Sequence, residues 1–418
     1  MKQVIIHHAN GTSKAALLED GRLSEFYVEQ TGEKERAGNL YKGRVVNVLP
    51  GMQSAFVDIG LEKNAFLYRD DLLPAHLEKQ PADKPCIQEL VRPGQELIVQ
   101  VKKEPSGSKG ARVTTHFTLP GRWIVYMPNA DYTAVSRKIE SNEEKLRLKQ
   151  IGDELRSGGD GIILRTIAAG QPAESLGRDW ERLHSVWEGV LQEASLQKAP
   201  CLLFQDLALV PRLARDLFTD GIDELVVDDE ELAEQIGRMV KDTAPKLARC
   251  VRVYRGEIPV FYSFPVAEEL EKAFRRKIWL NNGAYLVMDQ TEALTVIDVN
   301  TGRYTGGENL EQTVFETNME AAREIVRLLR LRDIGGIIVV DFIDMKDENH
   351  RQAVRRQMEE SARADRTKTL MIGWTKLGLF ELTRKKNRQA LDGQFFDSCP
   401  YCGGSGKVHS KDHPLYGQ

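Results

Sequence analysis

The sequence predicts a multidomain chain of mixed α+β and α/β class, and three observations carry that expectation. Its 418 residues suffice for roughly two to four domains. Between about residues 36 and 117, short alternating strands follow one another with turn residues between them, the pattern of a small β-barrel. Towards the C-terminal end, two β-branched apolar runs bracket a long stretch of helical period, the pattern of a strand–helix–strand unit.

Residues 1 to about 35 predict short strands, with Asp20-Gly21 as a hairpin turn. The barrel segment, 36–117, holds YKGRVVNVLPGMQSAFVDIG, KNAFLYRDDL, GQELIVQVKKE and ARVTTHFTL, with Pro50-Gly51 and PSGSKG as turns. Residues 118–209 mix strands (GRWIVYMP, GIILRT) with helical stretches at 143–156 and 174–198, and residues 210–272 alternate helices with strands such as GIDELVVDD. Within 273–396, residues 294–297 and 337–340 predict short strands buried on both faces. Between them Leu310, Val314, Ala321, Ala322, Ile325, Val326, Leu328 and Leu329 recur at helical spacing, and Gly335-Gly336 end the helix. Residues 397–418 are poor in apolar side chains and predict a loose tail.

Composition excludes several classes. Hydrophobic content of 41% and charged content of 29% describe a globular protein with ample core. No apolar stretch is long enough for a membrane span, and MKQVIIHHANG, apolar only from Val4 to Ile6, is not a signal peptide. A net charge of −4 requires any nucleic-acid surface to be local. Of five cysteines only Cys399 and Cys402 are closely spaced, so there is no disulfide framework and a reducing cytoplasm is expected.

Two aspartates are the strongest candidates for chemistry. Asp298 in TVIDVNTGR and Asp341 in GGIIVVDFIDM each follow an apolar run, which places both carboxylates at the carboxyl edge of one sheet, where open α/β folds build their sites. Paired carboxylates at the ends of buried strands are costly without compensation. Hard oxygen donors, with Asn300 two residues beyond Asp298, suit Mg²⁺ or Mn²⁺. The plainer alternative is that each Asp caps a helix or turn. The eight histidines have no metal-like spacing and no nucleophile elbow is present, so a nuclease of this sequence would use metal-activated water.

In the barrel, alternation sets Ala55, Val57 and Ile59 on one face and Ser54, Phe56 and Asp58 on the other; Phe66 likewise shares a face with Asn64 and Tyr68. Aromatics among polar residues on a small barrel form the usual stacking platform for single-stranded bases, unless a neighbouring domain covers them. Lys109 in the SGSKG loop would meet the phosphate backbone. Arg165 and Thr166, after an apolar strand, offer a guanidinium fork and a hydroxyl suited to a phosphate, although from spacing alone an ordinary strand-end Arg is the better explanation. Basic clusters at Arg363, Arg366 and Lys368, and at Arg384, Lys385, Lys386 and Arg388, offer local positive charge. Cys399 and Cys402, followed by Gly-Gly-Ser-Gly, resemble half a zinc knuckle. Tetrahedral zinc wants four ligands, which two chains would supply together as a homodimer or higher oligomer; His409 completing a site within one chain is the alternative.

With these residues in hand, the chain resembles the bacterial ribonuclease E/G family, on the side of its shorter, G-type members. NLYKGRVVNVLPGMQSAFVDIG resembles the start of that family's S1 RNA-binding domain, VIDVNTGR and VVDFIDM its catalytic core, and CPYCGGSGKV its zinc-link. The resemblance implies an RNase H-like subdomain split between 1–35 and 210–272, with an S1 domain (an OB-fold barrel, 36–117) and a 5′-sensor domain (118–209) inserted. A DNase I-like catalytic subdomain (273–396) and the zinc-link (397–418) follow. It implies Mg²⁺ ligation by Asp298 and Asp341, phosphate positioning by Asn300, and RNA contacts by Phe56, Phe66 and Lys109. Gly121, Val125, Arg165 and Thr166 would bind a 5′-monophosphate, with Lys368 standing where the family's better-known member has an arginine. The activity implied is Mg²⁺-dependent cleavage of single-stranded RNA in RNA processing and decay. A noncatalytic S1-type RNA-binding protein is the runner-up, which a nuclease assay separates. A DnaJ-type zinc module repeats its motif four times and the motif occurs once here.

Overall fold

The computed structural model describes residues 1–29, 36–73, 84–105, 109–156, 158–218, 221–241, 245–303, 310–386, 390–397, 399–404 and 406. Its first sheet is assembled from two distant stretches of chain. Strands Lys2–Ala9, Thr12–Glu19 and Arg22–Val28 form an antiparallel meander, and Glu224–Val227 and Val251–Val253 extend it in parallel from the first strand. Both turns of the meander, Asn10-Gly11 and the expected Asp20-Gly21, have positive φ at both residues, the hairpin geometry that Asn-Gly and Asp-Gly favour. The strands between residues 40 and 204 belong to other sheets and are therefore inserted between two parts of this one.

The first insertion is a closed barrel. Leu40–Leu49, Ser54–Asp58, Ala65–Tyr68, Arg112–Thr114 and Glu96–Lys103 pair in that order, and the last strand closes on the first. Closure around five strands, with one parallel pair between Ala65–Tyr68 and Arg112–Thr114, is consistent with an OB-type, S1-like barrel. Ala55, Val57, Ile59, Leu67, Val99 and Val113 fill it, so the alternation assigned to SAFVDIG holds on its apolar side. The second insertion sets the sheet Thr133–Val135, Gly161–Leu164, Ile124–Met127 and Leu119–Pro120 under helices Asn142–Leu155 and Ala173–Leu196.

The last sheet runs Lys277–Trp279, Tyr285–Gln290, Leu294–Asn300, Gly336–Asp341, Phe380–Arg384, Thr369–Trp374. Its central pair is parallel, joined by helix Leu310–Leu331, and its other pairs are antiparallel. That helix and Glu348–Ala362 cover one face only, burying Leu286, Ile297, Val299, Ile338, Val340 and Leu382. The expectation of strands buried on both faces is corrected here: Ile337 is 52% exposed and Val296 37%, because among the described residues no element is packed on their side. No described helix is long and apolar enough to cross a membrane.

Helix Leu310–Leu331 also clamps this sheet to the first one. Ile5, Leu18, Leu23 and Phe26 share a core with Ile325, Leu328 and Leu329. Arg330 donates to Glu25 at 2.6 Å and Glu19 at 2.7 Å, while Arg22 meets Glu324 at 2.9 Å. Burial alone would push Glu19 and Glu324 upward; Arg330 for the first, and Arg327 with Arg22 for the second, more than offset it and hold both below the usual carboxylate range. Their stabilisation is therefore present above the unfolded Glu value and is lost as pH falls through the lower folded-state values. Arg330→Ala removes the guanidinium shared by two carboxylates at this junction, leaving Glu19 with Lys2 and Glu25 with the Tyr27 hydroxyl, and should cost about 3 kcal/mol. Chemical denaturation across pH checks this: the wild type weakens on acidification, and the variant starts lower with a flatter profile.

Candidate functional site

Parallel pairing of Leu294–Asn300 with Gly336–Asp341 sets Asp298 directly opposite Asp341. Burial of Ile297, Val299 and Val340 on the helix side turns both carboxylates to the open face, since side chains alternate along a strand. Both are exposed, so solvent relieves much of the expected cost of carboxylates ending buried strands. Asn300, on the same face, donates from Nδ2 to Asp298 Oδ2 at 2.7 Å. Partial burial of the carboxyl pushes Asp341 up from its ordinary value, and the charges of Asp298 and Asp344 add to that shift. Among the described residues no three His, Cys, Asp or Glu side chains converge as a metal cage. Two hard carboxylates that repel one another suit a cation that keeps most of its water, as Mg²⁺ does, and offer no soft donor for zinc.

On the barrel, Phe56 and Phe66 are cross-strand partners. Their rings meet edge to face at 5.5 Å, and Phe66 meets Tyr68 at 4.5 Å. Both phenylalanines are half-buried and Tyr68 is exposed. Arg112, beside Phe66 in the parallel register, lies 4.5 Å from the Tyr68 ring centroid and is anchored by Asp71 at 2.8 Å. Lys109 is exposed three residues before Arg112. The expected pair of rings is thus part of a larger aromatic and cationic cluster; Arg112 escaped sequence reading because its strand neighbours that of Tyr68 in the barrel but lies more than forty residues away in sequence.

The residues grouped around Arg165 also come together. Arg165 donates to the Gly121 carbonyl at 2.6 Å and pairs with Asp216 at 2.6 Å. Val125 lies opposite Ile163 on the neighbouring strand. The Thr166 hydroxyl is 2.7 Å from that of Ser136. Lys138, two residues on, donates to the Asp365 carbonyl at 2.8 Å, which brings this domain against the segment holding exposed Lys368. Burial alone would raise Asp216; Arg215 and Arg165 more than offset it and keep its carboxyl low. The guanidinium fork is therefore partly occupied by a carboxylate, which spacing alone did not reveal. Of the basic clusters, Arg384 is not a surface cation: it is buried and bonded to Asp365 and Asp333. Arg388 lies outside the described residues.

Cys399 and Cys402 flank a tight turn in which Gly403 N–H donates to the Cys399 carbonyl at 2.9 Å and Gly406 N–H to Cys402 Sγ at 3.3 Å. His409 lies outside the described residues.

The family model described as "Ribonuclease E/G family" matches residues 118–387. The chain is 40% identical over 420 residues to Ribonuclease G of Salmonella typhimurium, which covers 99% of this chain and 86% of that protein. It is 40% identical over 421 residues to Ribonuclease G of Haemophilus influenzae, covering 99% and 85%. It is 38% identical over 409 residues to Ribonuclease E of Nostoc sp., covering 97% and 58%. The chain belongs to the ribonuclease E/G family.

Asp344, three residues beyond Asp341, adds its charge to the repulsion around that carboxyl. Relief of the repulsion around Asp341 is measurable without any substrate. In chelator, Asp341→Asn should match or exceed the wild type in stability, by on the order of 0.5 kcal/mol, the size of one opposed like-charge pair. Adding Mg²⁺ should raise the melting temperature of the wild type and leave the variant unchanged. Differential scanning fluorimetry checks both.

Proposed function

We propose that this chain is an endoribonuclease that hydrolyses single-stranded RNA at Asp298 and Asp341. The observation carrying this reading is the direct register of the two carboxylates on an open sheet face, in a chain of the ribonuclease E/G family. Asp298 and Asp341 would hold one Mg²⁺ or Mn²⁺, which when bound activates water and stabilises charge on a phosphodiester under attack. Asn300 fixes the Asp298 carboxylate through its Nδ2 bond and lies where it would orient the scissile phosphate. In-line attack by water, with release of the 3′ oxygen, leaves 5′-phosphate and 3′-hydroxyl ends. The two-part sheet corresponds to the RNase H-like subdomain and the barrel to the S1 domain. The 118–209 region corresponds to the 5′ sensor, and 273–396 to the DNase I-like subdomain. The setting on this reading is ribosomal and transfer RNA processing and messenger decay in the cytoplasm.

The testing experiment uses one AU-rich RNA bearing a 5′-monophosphate, triphosphate or hydroxyl. Cleavage should require Mg²⁺ and be fastest with the monophosphate. Asp298→Asn should abolish it while RNA affinity and fold persist; wild-type turnover by that variant sinks the assignment. Arg165→Ala should erase the monophosphate advantage and spare internal cleavage of unstructured RNA, since Arg165 and Thr166 are the proposed phosphate ligands, with Lys368 supplying charge without a bidentate fork.

Phe56→Ala and Phe66→Ala should each weaken single-strand binding by about 1–3 kcal/mol, the size of a lost base stack. Fluorescence anisotropy with a labelled oligonucleotide gives the value. A collapsed melting temperature with unchanged affinity would assign both rings to the barrel core instead, and Lys109→Ala should reduce the salt dependence of binding.

Cys399 and Cys402 are proposed to share one Zn²⁺ with the same pair from a second chain, because each chain supplies two thiolates to a four-ligand site. Native mass spectrometry should find one zinc per two chains, and Cys402→Ser should release monomers. One zinc per monomer excludes the shared site.

A further inference from the structure

The open face of the catalytic sheet continues sideways from the carboxylates onto an aromatic ledge. Lys277 pairs with Val287, and Val287 with Asp298; one row along, Trp279 pairs with Tyr285, and Tyr285 with Asn300. Cross-strand partners share a face, and strands lie about 4.8 Å apart, so the Trp279 backbone stands about 10 Å from Asn300. Ile278 and Leu280, on either side of Trp279 in sequence, are buried in the core, which leaves the indole on the solvent side, 49% exposed. Its ring meets Tyr285 edge to face at 5.2 Å and 62°. Lys277 Nζ lies 3.6 Å from the Tyr285 centroid and 4.4 Å from that of Trp279, and the Arg303 guanidinium 5.8 Å from Trp279.

The ledge is tied to the site by the chain that leaves Asn300. Arg303 N–H donates to the Gly283 carbonyl at 3.0 Å. Gly302, at φ +59°, passes so close that a Cβ there would be 2.6 Å from Gly283 O, 2.9 Å from Tyr285 Cδ1 and 3.3 Å from Trp279 Cζ3. The rings and the Asn300 loop are therefore one packed unit.

We propose that Trp279, backed by Tyr285 and flanked by Lys277 and Arg303, is a stacking shelf for an RNA base adjacent to the scissile phosphate, so that one flanking nucleotide is held by its π-face. The inference rests on the endoribonuclease reading of Asp298 and Asp341. An exposed indole with cations around it matches both halves of a nucleotide: the ring takes a base of any identity and the cations take its phosphates. Stacking on a fixed shelf also sets the reach of the neighbouring phosphate, which converts base binding into alignment of the cut.

The test crosses enzyme and substrate. Short single-cut RNAs are made with each nucleotide near the cut replaced, one at a time, by an abasic residue. Full-length wild type, Trp279→Ala and Trp279→Phe are assayed with Mg²⁺. One abasic position should slow the wild type about 10-fold, the loss of one stack. Trp279→Ala should be slowed about as much on intact RNA and no further on that abasic RNA, while Trp279→Phe retains most of the rate. Equal responses of wild type and Trp279→Ala at every position would overturn the shelf. The same cycle measured as binding affinity in the Asp298→Asn background separates the two claims. Stacking without cleavage by the wild type overturns the nuclease reading alone, cleavage without the coupled position overturns the shelf alone, and absence of RNA binding overturns both.

Discussion

Helix Leu310–Leu331 lies across one face of the last sheet and leaves the other open, and this one-sided burial governs what the sheet can do. A slip of one residue would carry Ile297 or Val340 from core to solvent, so the helix locks the register that sets Asp298 opposite Asp341. The same helix presents Arg327 and Arg330 to the first sheet. Register of the carboxylates and attachment of the two sheets thus depend on one element with two faces.

The carboxylate pair contributes nothing to that stability. Asp298, Asp341 and Asp344 crowd like charges at one sheet edge, and the hydrogen bond from Asn300 offsets only part of the repulsion. The fold tolerates this because the core beneath is continuous from Ile5 to Leu382 and because water reaches the open face. Such local conflict, set on an otherwise consistent framework, is what a site for a positively charged ligand requires before the ligand arrives.

What was legible in the sequence follows the range of the interaction that determines it. The long helix was visible because a one-sided stripe repeats every three to four residues. The barrel core was visible because Ala55, Val57 and Ile59 alternate with other residues. Exposure of the last sheet was not visible: Val296 and Ile337 are apolar yet face solvent, which erases the alternation that would have betrayed an open face. Asn10-Gly11 is as strong a turn signal as Asp20-Gly21, and both turns form. The couplings Arg165–Asp216 and Lys138–Asp365 join residues far apart in sequence, and nothing in local spacing announces them. The ledge at Trp279 was equally hidden, because its relation to Asn300 exists only through the register of Tyr285.

The apolar open face bears on the kind of nucleic acid the proposed enzyme would accept. Exposed Val296, Ile337, Leu370 and Ile372 lie on the same face as Asp298 and Asp341, with Trp279 at the far strand. A duplex presents mainly phosphates and sugar hydroxyls to a protein surface and keeps its bases stacked inside, so it gains little from an apolar sheet. A single strand presents π-faces as well as phosphates and can bury the former against such a surface. The carboxylates of the face repel phosphate wherever no cation intervenes, and Lys277 and Arg303 stand to one side of them, at the Trp279 end. Selection for unpaired RNA would then arise from the sheet itself, before the barrel's aromatic cluster adds its own contribution.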